Sequence, residues 1–414
     1  MAKVLLVDLF HPRCTVRDLR RASAAVEEER SAHDTVYVIR SDDRGNSGDG
    51  RGEPDVRALL ATLLGAGKRV RVLEHRSLAA SLLSFKREVD RLDLGDVKVV
   101  TCARKVAELR RCRELLFTAA YSFEFVAALE EREWRAEDEV EEEVDAFLRQ
   151  LPPVSGEIRI LRSSLVPDGF SHGFSTRTGG ISSVKTLSSL NLFCSSRRRD
   201  PRAVVAENLR RFSLEAGFHP HQFNLVKVNH ASDVWVIGKE APDSYDGIVT
   251  NQANVVIAAP GADCMPLLFV DPVAKVVGAA HAGWKGTLMG IAMATVNAMA
   301  SEFGSKPADV VAVIGPSVGP CCFTLERESA AEFHAIHPDC VRDVESPKPH
   351  VNIRRATRIL LQQGGLLPTH IHDDTVMDRP NVTLCTSCNP DMFFSHVRDG
   401  INFGTQIGFV WIEE

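Results

Sequence analysis

The first third of the chain alternates short apolar runs with longer amphipathic stretches. Runs rich in Val, Ile and Leu have the length and bounds of buried strands at Lys3–Phe10, Thr35–Arg40, Arg69–Glu74 and Val97–Thr101. Apolar residues recur at helical spacing in Pro54–Leu64, Leu78–Leu92 and Lys105–Leu129. Because strands here alternate with helices, the pattern predicts a small α/β unit built on a parallel sheet.

Charged and turn-forming residues mark the edges of this unit. Ser41–Glu53 is rich in Gly, Asp and Arg and has no apolar anchor, which predicts a loop. Glu130–Arg149 reads as a strongly charged helix, and the prolines of Leu151-Pro-Pro-Val-Ser-Gly156 then end it. We therefore expect an α/β domain over residues 1–150, a linker over 151–164 and a second domain over 165–414.

The second domain is predicted to alternate apolar strands with glycine-rich turns. The strands are expected at Asn254–Pro260, Pro266–Val270, Lys275–Ala280 and Asp309–Ile314. An apolar face at helical spacing predicts a helix over Thr287–Phe303, with Gly304 as its C-terminal cap.

Composition excludes several classes of function. The formal net charge is -6, which argues against general nucleic-acid binding. The first apolar run is too short for a signal peptide, and no stretch has the roughly 18 apolar residues that a transmembrane helix needs. We therefore expect a cytosolic protein with reduced thiols, and nuclear or peroxisomal association is left open. Its 10 Cys are then core residues, metal ligands or reactive thiols.

Three residues in turns or at strand ends carry the side chains that zinc prefers, namely His230, Cys264 and His281. Three protein ligands with one open position are typical of a catalytic zinc site. Their spacing is not that of a zinc finger, so residue types alone leave two readings: one shared metal site, or three unrelated polar residues in turns.

The order of the segments around these residues decides between the two readings. It runs through Phe170-Ser-His-Gly-Phe-Ser-Thr-Arg-Thr-Gly-Gly-Ile-Ser182, Val228-Asn-His230, Asp246-Gly-Ile-Val-Thr250, Ala262-Asp-Cys-Met-Pro266, His281-Ala-Gly-Trp-Lys-Gly286, Ile314-Gly-Pro-Ser317 and Phe393-Phe-Ser-His-Val-Arg-Asp399. This order resembles the laccase-domain family, which is also called polyphenol-oxidase-like. The additional N-terminal half and Cys385-Thr-Ser-Cys388 point to vertebrate members of that family.

The resemblance implies an α+β domain with mixed β-sheets packed between helices. It also implies that one zinc ion is held by His230, Cys264 and His281. The implied reactions are phosphorolysis of adenosine, inosine, guanosine and methylthioadenosine to base and ribose-1-phosphate, and deamination of adenosine to inosine. The expected partners are purine nucleosides, with phosphate as co-substrate.

Phosphorolysis requires a cation for phosphate, and two residues are candidates. Lys285 is expected at the start of a helix, and Arg177 lies in the turn Thr176-Arg-Thr-Gly-Gly180. Asp263, next to Cys264, is a candidate to orient a ligand or shuttle a proton; turn capping is an equal alternative.

The chain departs from the family pattern at four positions. Val228 and Ala231 replace the Gln and Gly on either side of the first ligand, and Val397 and Thr405 replace two late arginines. These changes bear on substrate preference and phosphate contacts and leave the metal triad intact.

Three other functions stay open: a copper-dependent phenol oxidase, a metal-free hydrolase with Cys264 as nucleophile and His281 as base, and a non-enzymatic adaptor. Cys385 and Cys388 have the spacing of a redox pair or metal clip, whereas Cys321-Cys322 reads as core packing. No nucleotide-binding motif is found in residues 1–150, so we expect a docking or regulatory role there, with a protein partner.

Overall fold

A computed structural model describes residues 3–10, 20–21, 24, 35–41, 69–129 and 137–414. Contacts divide the chain into two compact units, one of residues 1–152 and 194–207 and one of residues 153–193 and 208–414. The helix expected over Pro54–Leu64, and the loop after Ser41, lie outside the described residues. Within the described ranges, no helix combines the length and apolar character needed to cross a bilayer.

The first unit is a parallel sheet with helices between its strands. Its strands are β1 (Lys3–Leu9), β2 (Thr35–Ser41), β3 (Arg69–His75), β4 (Asp96–Thr101) and β5 (Ser122–Ala127). The helices with described bounds in this unit are α1 (Leu78–Arg91), α2 (Lys105–Leu116) and α3 (Glu137–Gln150). The strand order is β3-β2-β1-β4-β5, and every neighbouring pair is parallel. The predicted α/β unit is therefore confirmed.

Strand β5 corrects the prediction of one helix over Lys105–Leu129. Helix α2 ends at Leu116, and Phe117 already has an extended backbone. In β5, the aromatic residues Phe123 and Phe125 alternate with polar ones, and the strand pairs along its length with β4. Pairing with a neighbouring strand decided the conformation here, and a local pattern does not contain that information.

The second unit contains two larger sheets and one small one. Its strands are β6 (Ile160–Leu161), β7 (Phe170–Ser175), β8 (Phe223–Leu225), β9 (Val234–Val236), β10 (Gly247–Thr250), β11 (Val256–Gly261), β12 (Met265–Asp271), β13 (Val276–Ala282), β14 (Val311–Ile314), β15 (Val341–Arg342), β16 (His350–Val351), β17 (Ile371–His372) and β18 (Gln406–Ile412). Its helices are α4 (Arg202–Ala216), α5 (Trp284–Leu288), α6 (Ile291–Phe303), α7 (Arg327–Ile336), α8 (Ile353–Gln363) and α9 (His396–Asp399). Helix α4 belongs to this unit from residue 208 onward.

The two larger sheets are mixed and pack against each other between layers of helix. Their strand orders are β17-β14-β12-β13-β10-β9 and β6-β7-β18-β11-β8. One apolar cluster joins the facing surfaces of both sheets, including Leu268 and Val410. A second cluster covers the outer face of the six-stranded sheet with α6 and α8, and a third covers the five-stranded sheet with α4. The α+β architecture expected for the second domain is therefore confirmed.

Strand β12 is buried along its whole length because it contributes to two of these clusters. Leu267 and Phe269 pack on the helix side, whereas Leu268 and Val270 face the other sheet. Side chains of a strand alternate between its two faces, so both faces of a central strand must be apolar. This explains the uninterrupted apolar run in the sequence and fixes the strand ends that carry the site.

Two predicted boundaries in the second unit need correction. The helix expected over Thr287–Phe303 is two helices, α5 and α6, and Gly290 separates them with a left-handed φ of 80°. Glycine adopts this conformation without steric cost, so the chain turns there. Gly304 caps α6 as expected. The expected linker 151–164 contributes strand β6, which pairs with β7 because Ile160 and Leu161 extend the sheet edge.

Acidification is expected to destabilise the second unit through His172 of β7. This imidazole is buried and its Nε2 accepts the Ser163 N–H at 2.9 Å. Burial, helped by the charge of Arg162, lowers the pKa of His172 from 6.5 to about 4. The His172 imidazole therefore binds a proton below pH 6.5 in the unfolded chain, but only below about pH 4 in the folded chain. The stability is complete above pH 6.5 and falls by about 3 kcal/mol as the pH drops to 4.

Denaturant unfolding between pH 7 and pH 4 measures this effect. His172→Gln should flatten the pH dependence over that range, whereas the control His219→Gln, at an exposed position, should leave it unchanged. An identical slope for wild type and His172→Gln would contradict the assignment.

Candidate metal centre

An antiparallel hairpin brings two of the three predicted ligands together. Cys264 directly precedes β12, and His281 is the second-to-last residue of β13. In the register of the two strands, Met265 faces Ala282 and Pro266 faces His281. The start of one strand therefore lies beside the end of the other, although 17 positions separate the two ligands in the sequence.

The third ligand, His230, enters from the loop before β9. Its backbone has a left-handed φ of 63°, which is rare for residues other than glycine. Its ring lies 5.0 Å from the His281 ring, measured between centroids. The ligand atoms of His230, Cys264 and His281 all lie within 4.8 Å of one another. The structure thus brings together the three side chains that the sequence singled out.

Asp246, just before β10, holds this arrangement in place, and sequence reasoning gave it no role. Its side chain is fully buried. It binds Nδ1 of His281 at 2.8 Å and accepts the backbone N–H groups of Asn229, His230 and Ala231 at 3.0 to 3.2 Å. One carboxylate therefore orients one ligand directly and fixes the loop of another. The only signal in the sequence is its place in Asp246-Gly-Ile-Val-Thr250, one of the segments that carry the family resemblance.

The protonation of these groups is that of a thiolate beside a protonated imidazole. Burial alone raises the pKa of the Cys264 thiol, but the His281 charge and hydrogen bonds from both histidines outweigh it and lower that pKa to about 6. Burial lowers the pKa of His281, but Cys264 and Asp246 outweigh it and raise that pKa to about 9. Hydrogen bonds from His281 and two backbone amides overcome burial and lower the pKa of Asp246. An ionised Asp246 accepts the proton on Nδ1 of His281, and a metal bound at Nε2 would displace the second proton.

Zinc fits this donor set. Two imidazoles and one thiolate are typical zinc ligands, and three protein ligands leave one position of a tetrahedron open. Gly283 keeps the space beside them clear, because a Cβ there would lie 2.9 Å from the Cys264 Sγ and 3.5 Å from Nδ1 of His230. Any larger residue at position 283 would push against the Cys264 sulfur.

The predicted role of Asp263 in proton transfer or ligand orientation stays a prediction. Its buried carboxylate accepts the Thr386 hydroxyl and the Val397 N–H, both at 2.6 Å. Its backbone oxygen accepts the Val318 N–H at 3.0 Å. These contacts tie the turn that carries Cys264 to three later parts of the chain. Through these contacts, Asp263 anchors the turn that carries Cys264.

Arg177 lies in a cleft that does not include the metal ligands. Its guanidinium donates to the backbone oxygens of Ser188, Pro390 and Lys185 at 2.7 to 3.1 Å and stacks on Phe394. With Arg159, Lys185 and Arg398 it lines an open cleft of about 780 Å³. Its predicted phosphate contact stays a prediction. Three of its N–H donors are already engaged with backbone oxygens.

Lys285 lies four residues after the ligand His281 and is exposed. Its ammonium group is 5.4 Å from the centroid of the Trp284 ring. It belongs to α5, which has five residues. Lys285 is a stronger phosphate candidate than Arg177, because its charged group is exposed. The end of so short a helix adds little to this.

The departures from the family pattern fall mainly on backbone contacts. Ala231 and Val397 each donate an N–H to a buried aspartate, to Asp246 and Asp263 respectively. Thr405 donates its N–H to the Asn191 side chain at 3.0 Å. A change of side chain preserves these hydrogen bonds, because the backbone N–H groups donate them. The turns around the site therefore keep their anchors.

The fold, the triad and the order of its segments define a laccase-domain protein with a candidate metal site. The model of the family described as multi-copper polyphenol oxidoreductase laccase matches residues 171–413, and the chain belongs to that family. Over 365 residues it is 51% identical to the mouse protein named purine nucleoside phosphorylase LACC1, covering 84% of this chain and 83% of that one. The expected similarity to vertebrate members is therefore confirmed.

Two further relatives extend the comparison to prokaryotic proteins. The crystal structure of YlmD from Geobacillus stearothermophilus aligns with a TM-score of 0.53 and 30% identity, over 60% of this chain and 93% of that one. A protein of an unknown prokaryotic organism, named adenosine deaminase RL5, is 29% identical over 246 residues, which are 56% of this chain and 90% of that protein.

Proposed function

We propose that this protein is a zinc-dependent enzyme of purine nucleoside metabolism. Its reactions are phosphorolysis of adenosine, inosine, guanosine and methylthioadenosine to base and ribose-1-phosphate, and hydrolytic deamination of adenosine to inosine. The observation that carries the proposal is the convergence of the His230, Cys264 and His281 ligand atoms within 4.8 Å. The names of relatives, purine nucleoside phosphorylase and adenosine deaminase, support the substrate class. Residues 1–150 are proposed to dock a protein partner.

The residues around the triad have separate tasks in this mechanism. When bound, a zinc ion with an open coordination position supplies Lewis-acid activation for either reaction. Asp246 keeps the proton of His281 on Nδ1 and fixes the backbone of His230, so both imidazoles stay oriented. Asp263 holds the turn of Cys264, and Lys285 attracts the phosphate co-substrate.

Two of the alternative functions have less support from the arrangement. A multicopper oxidase needs several clustered histidines and a His-Cys-His copper site. In the part of the chain that the structure describes, the groups of three or more potential ligands include none of His219, His221, His370 and His372. A metal-free hydrolase would use Cys264 and His281, and His230 would then serve only to stabilise the Cys264 thiolate.

Assays of the full chain with and without phosphate test the proposal. Inosine should yield hypoxanthine and ribose-1-phosphate only when phosphate is present, whereas adenosine should yield inosine and ammonia without it. Both activities should disappear on removal of zinc and return on its addition. Turnover that is insensitive to a chelator would favour the metal-free hydrolase, and a lack of both reactions in zinc-loaded protein would contradict the proposal.

Replacing Lys285 with alanine is expected to raise the KM for phosphate about tenfold, because one charge-assisted contact to an anion contributes about 1.5 kcal/mol. Deamination of adenosine requires no phosphate and should keep its kcat/KM. Lys306→Ala, at another exposed lysine of the second unit, is the matched control. Initial rates at varied phosphate provide the measurement, and an unchanged KM in Lys285→Ala would remove the lysine from the phosphate site.

A further inference from the structure

Four cysteines from two distant segments meet outside the triad. Cys321 and Cys322 follow β14, and Cys385 and Cys388 lie before α9. The Cys321 sulfur is 3.5 Å from the sulfurs of both Cys385 and Cys388, and the Cys322 sulfur is 3.4 Å from that of Cys388. All four sulfurs lie within 4.8 Å of one another. The prediction of core packing for Cys321-Cys322 is therefore wrong for Cys321, which is exposed.

These separations fit a tetrahedron of thiolates around one ion. A disulfide joins its two sulfurs at about 2.05 Å. Zinc binds thiolate sulfur at about 2.3 Å, so the edges of a tetrahedral site are about 3.8 Å long. Four sulfurs that are mutually close, with no pair singled out, match the second geometry. A cluster of several irons needs more space between its thiolates, and hard cations prefer oxygen ligands.

The backbone around the cysteines is arranged to hold them. The Gly319 N–H donates to the Cys385 sulfur at 3.3 Å, a contact of the kind that supports metal thiolates. Position 319 has little room for a side chain, because a Cβ there would lie 3.2 Å from the Cys321 sulfur. The two segments also pair directly: Ser317 N–H donates to the Leu384 oxygen, and Thr386 N–H donates to the Ser317 oxygen.

Buried Arg354 of α8 forms hydrogen bonds with both of these segments. Its guanidinium donates to the Ser317 hydroxyl at 3.0 Å and to the Leu384 oxygen at 3.0 Å, and it also binds the Ser317 oxygen. It is paired with Asp374 at 2.9 Å. The segments therefore meet in a defined position, and the cysteines are placed by the fold as much as by one another.

We propose that Cys321, Cys322, Cys385 and Cys388 bind a second zinc ion in a closed, four-thiolate structural site. Each thiol gives its proton to solvent as the ion binds, and four protein ligands leave no position for substrate. The site is distinct from the triad, and it requires none of the proposed nucleoside chemistry.

This second ion would stabilise the turn that carries Cys264. Thr386, next to Cys385, donates its hydroxyl to the Asp263 carboxylate, and Val318 binds the Asp263 backbone oxygen. Each cysteine segment thus has one direct contact with the residue before Cys264. Loss of the ion should therefore lower kcat/KM by several fold without removing the ion of the triad, which makes the four cysteines positioning residues.

Zinc content of the full chain, purified under reducing conditions, tests the proposal. Wild type should hold two zinc ions per chain, and Cys264→Ala one. Cys385→Ser/Cys388→Ser should also hold one, and the combination of all three substitutions none. Cys194→Ser, at an exposed cysteine outside the cluster, is the control and should hold two.

X-ray absorption of the bound zinc makes the test independent of the folding of the cluster variants. In Cys264→Ala, which keeps all four cysteines, the remaining zinc should have four sulfur neighbours at about 2.3 Å. Wild type should average about 2.5 sulfurs per zinc, the mean of one at the triad and four at the cluster.

A wild type with a single zinc that Cys264→Ala removes would overturn the proposal. So would nitrogen or oxygen neighbours at the zinc that remains in Cys264→Ala, or disulfides among the four cysteines in reduced, zinc-loaded protein. The proposed nucleoside chemistry can fail separately: a chain that turns over no nucleoside and yet keeps a four-sulfur zinc contradicts that function and leaves the second site intact.

Discussion

Cys264→Ala should lower kcat/KM for inosine phosphorolysis at least about a hundredfold and remove the metal of the triad. Cys264 supplies the only thiolate among the three ligands, and the two imidazoles left behind make a weak site for zinc. The loss is on the scale expected when a metal ligand or its support is removed. Deamination of adenosine should fall in parallel, because both proposed reactions use the same ion.

Steady-state kinetics and zinc analysis on the same preparation separate the causes of such a loss. Cys194→Ala, at an exposed cysteine outside both clusters, should keep full activity and full zinc. Activity that disappears while the zinc content stays at the wild-type value would favour Cys264 as a nucleophile. Normal turnover in Cys264→Ala would show that the assignment of this residue is wrong.

The second large effect is expected from Asp246→Asn. The neutral amide oxygen can still accept the His281 Nδ1 proton, but the NH2 group then faces the backbone N–H groups of Asn229 and Ala231. A buried carboxylate with four donors would be replaced by a group that satisfies only some of them. We expect zinc affinity at the triad to fall about 10- to 100-fold, as for other changes behind a metal-bound histidine.

Competition with a chromophoric chelator measures that affinity. Excess zinc should restore much of the activity of Asp246→Asn, since the three ligands themselves remain. Asp243→Asn, at an exposed carboxylate three residues earlier, is the matched control and should bind zinc as the wild type does. Wild-type affinity in Asp246→Asn would mean that the carboxylate supports the fold alone.

Local pattern was a good guide to strands whose faces are buried. Predicted runs at Pro266–Val270 and Lys275–Ala280 correspond to β12 and β13, because burial on both faces demands unbroken apolar sequence. The same reasoning missed β5, where two aromatic residues alternate with polar ones for only a few positions. It also missed the break at Gly290, because glycine within an apolar helical stretch can either continue the helix or end it.

The candidate site divides in the same way. Residue type and segment order single out the metal ligands, since few side chains can bind zinc. Nothing in the sequence singles out Asp246 over Asp263 as the carboxylate that orients a ligand. Both stand in glycine-containing turns, and only the pairing of β10 with β13 puts Asp246 beside His281.

The sequence by itself determined the alternation of strands and helices, the family and the chemical identity of the triad, because these depend on periodicity and residue type along the chain. Only the tertiary structure decided which polar groups meet. In the folded chain Asp246 binds the His281 ring and the His230 backbone, and Arg177 donates to backbone oxygens. Four cysteines from segments more than sixty residues apart also meet. Hydrogen bonds and metal coordination act over about 3 Å, and sheet pairing sets distances on that scale between residues that are far apart in the chain.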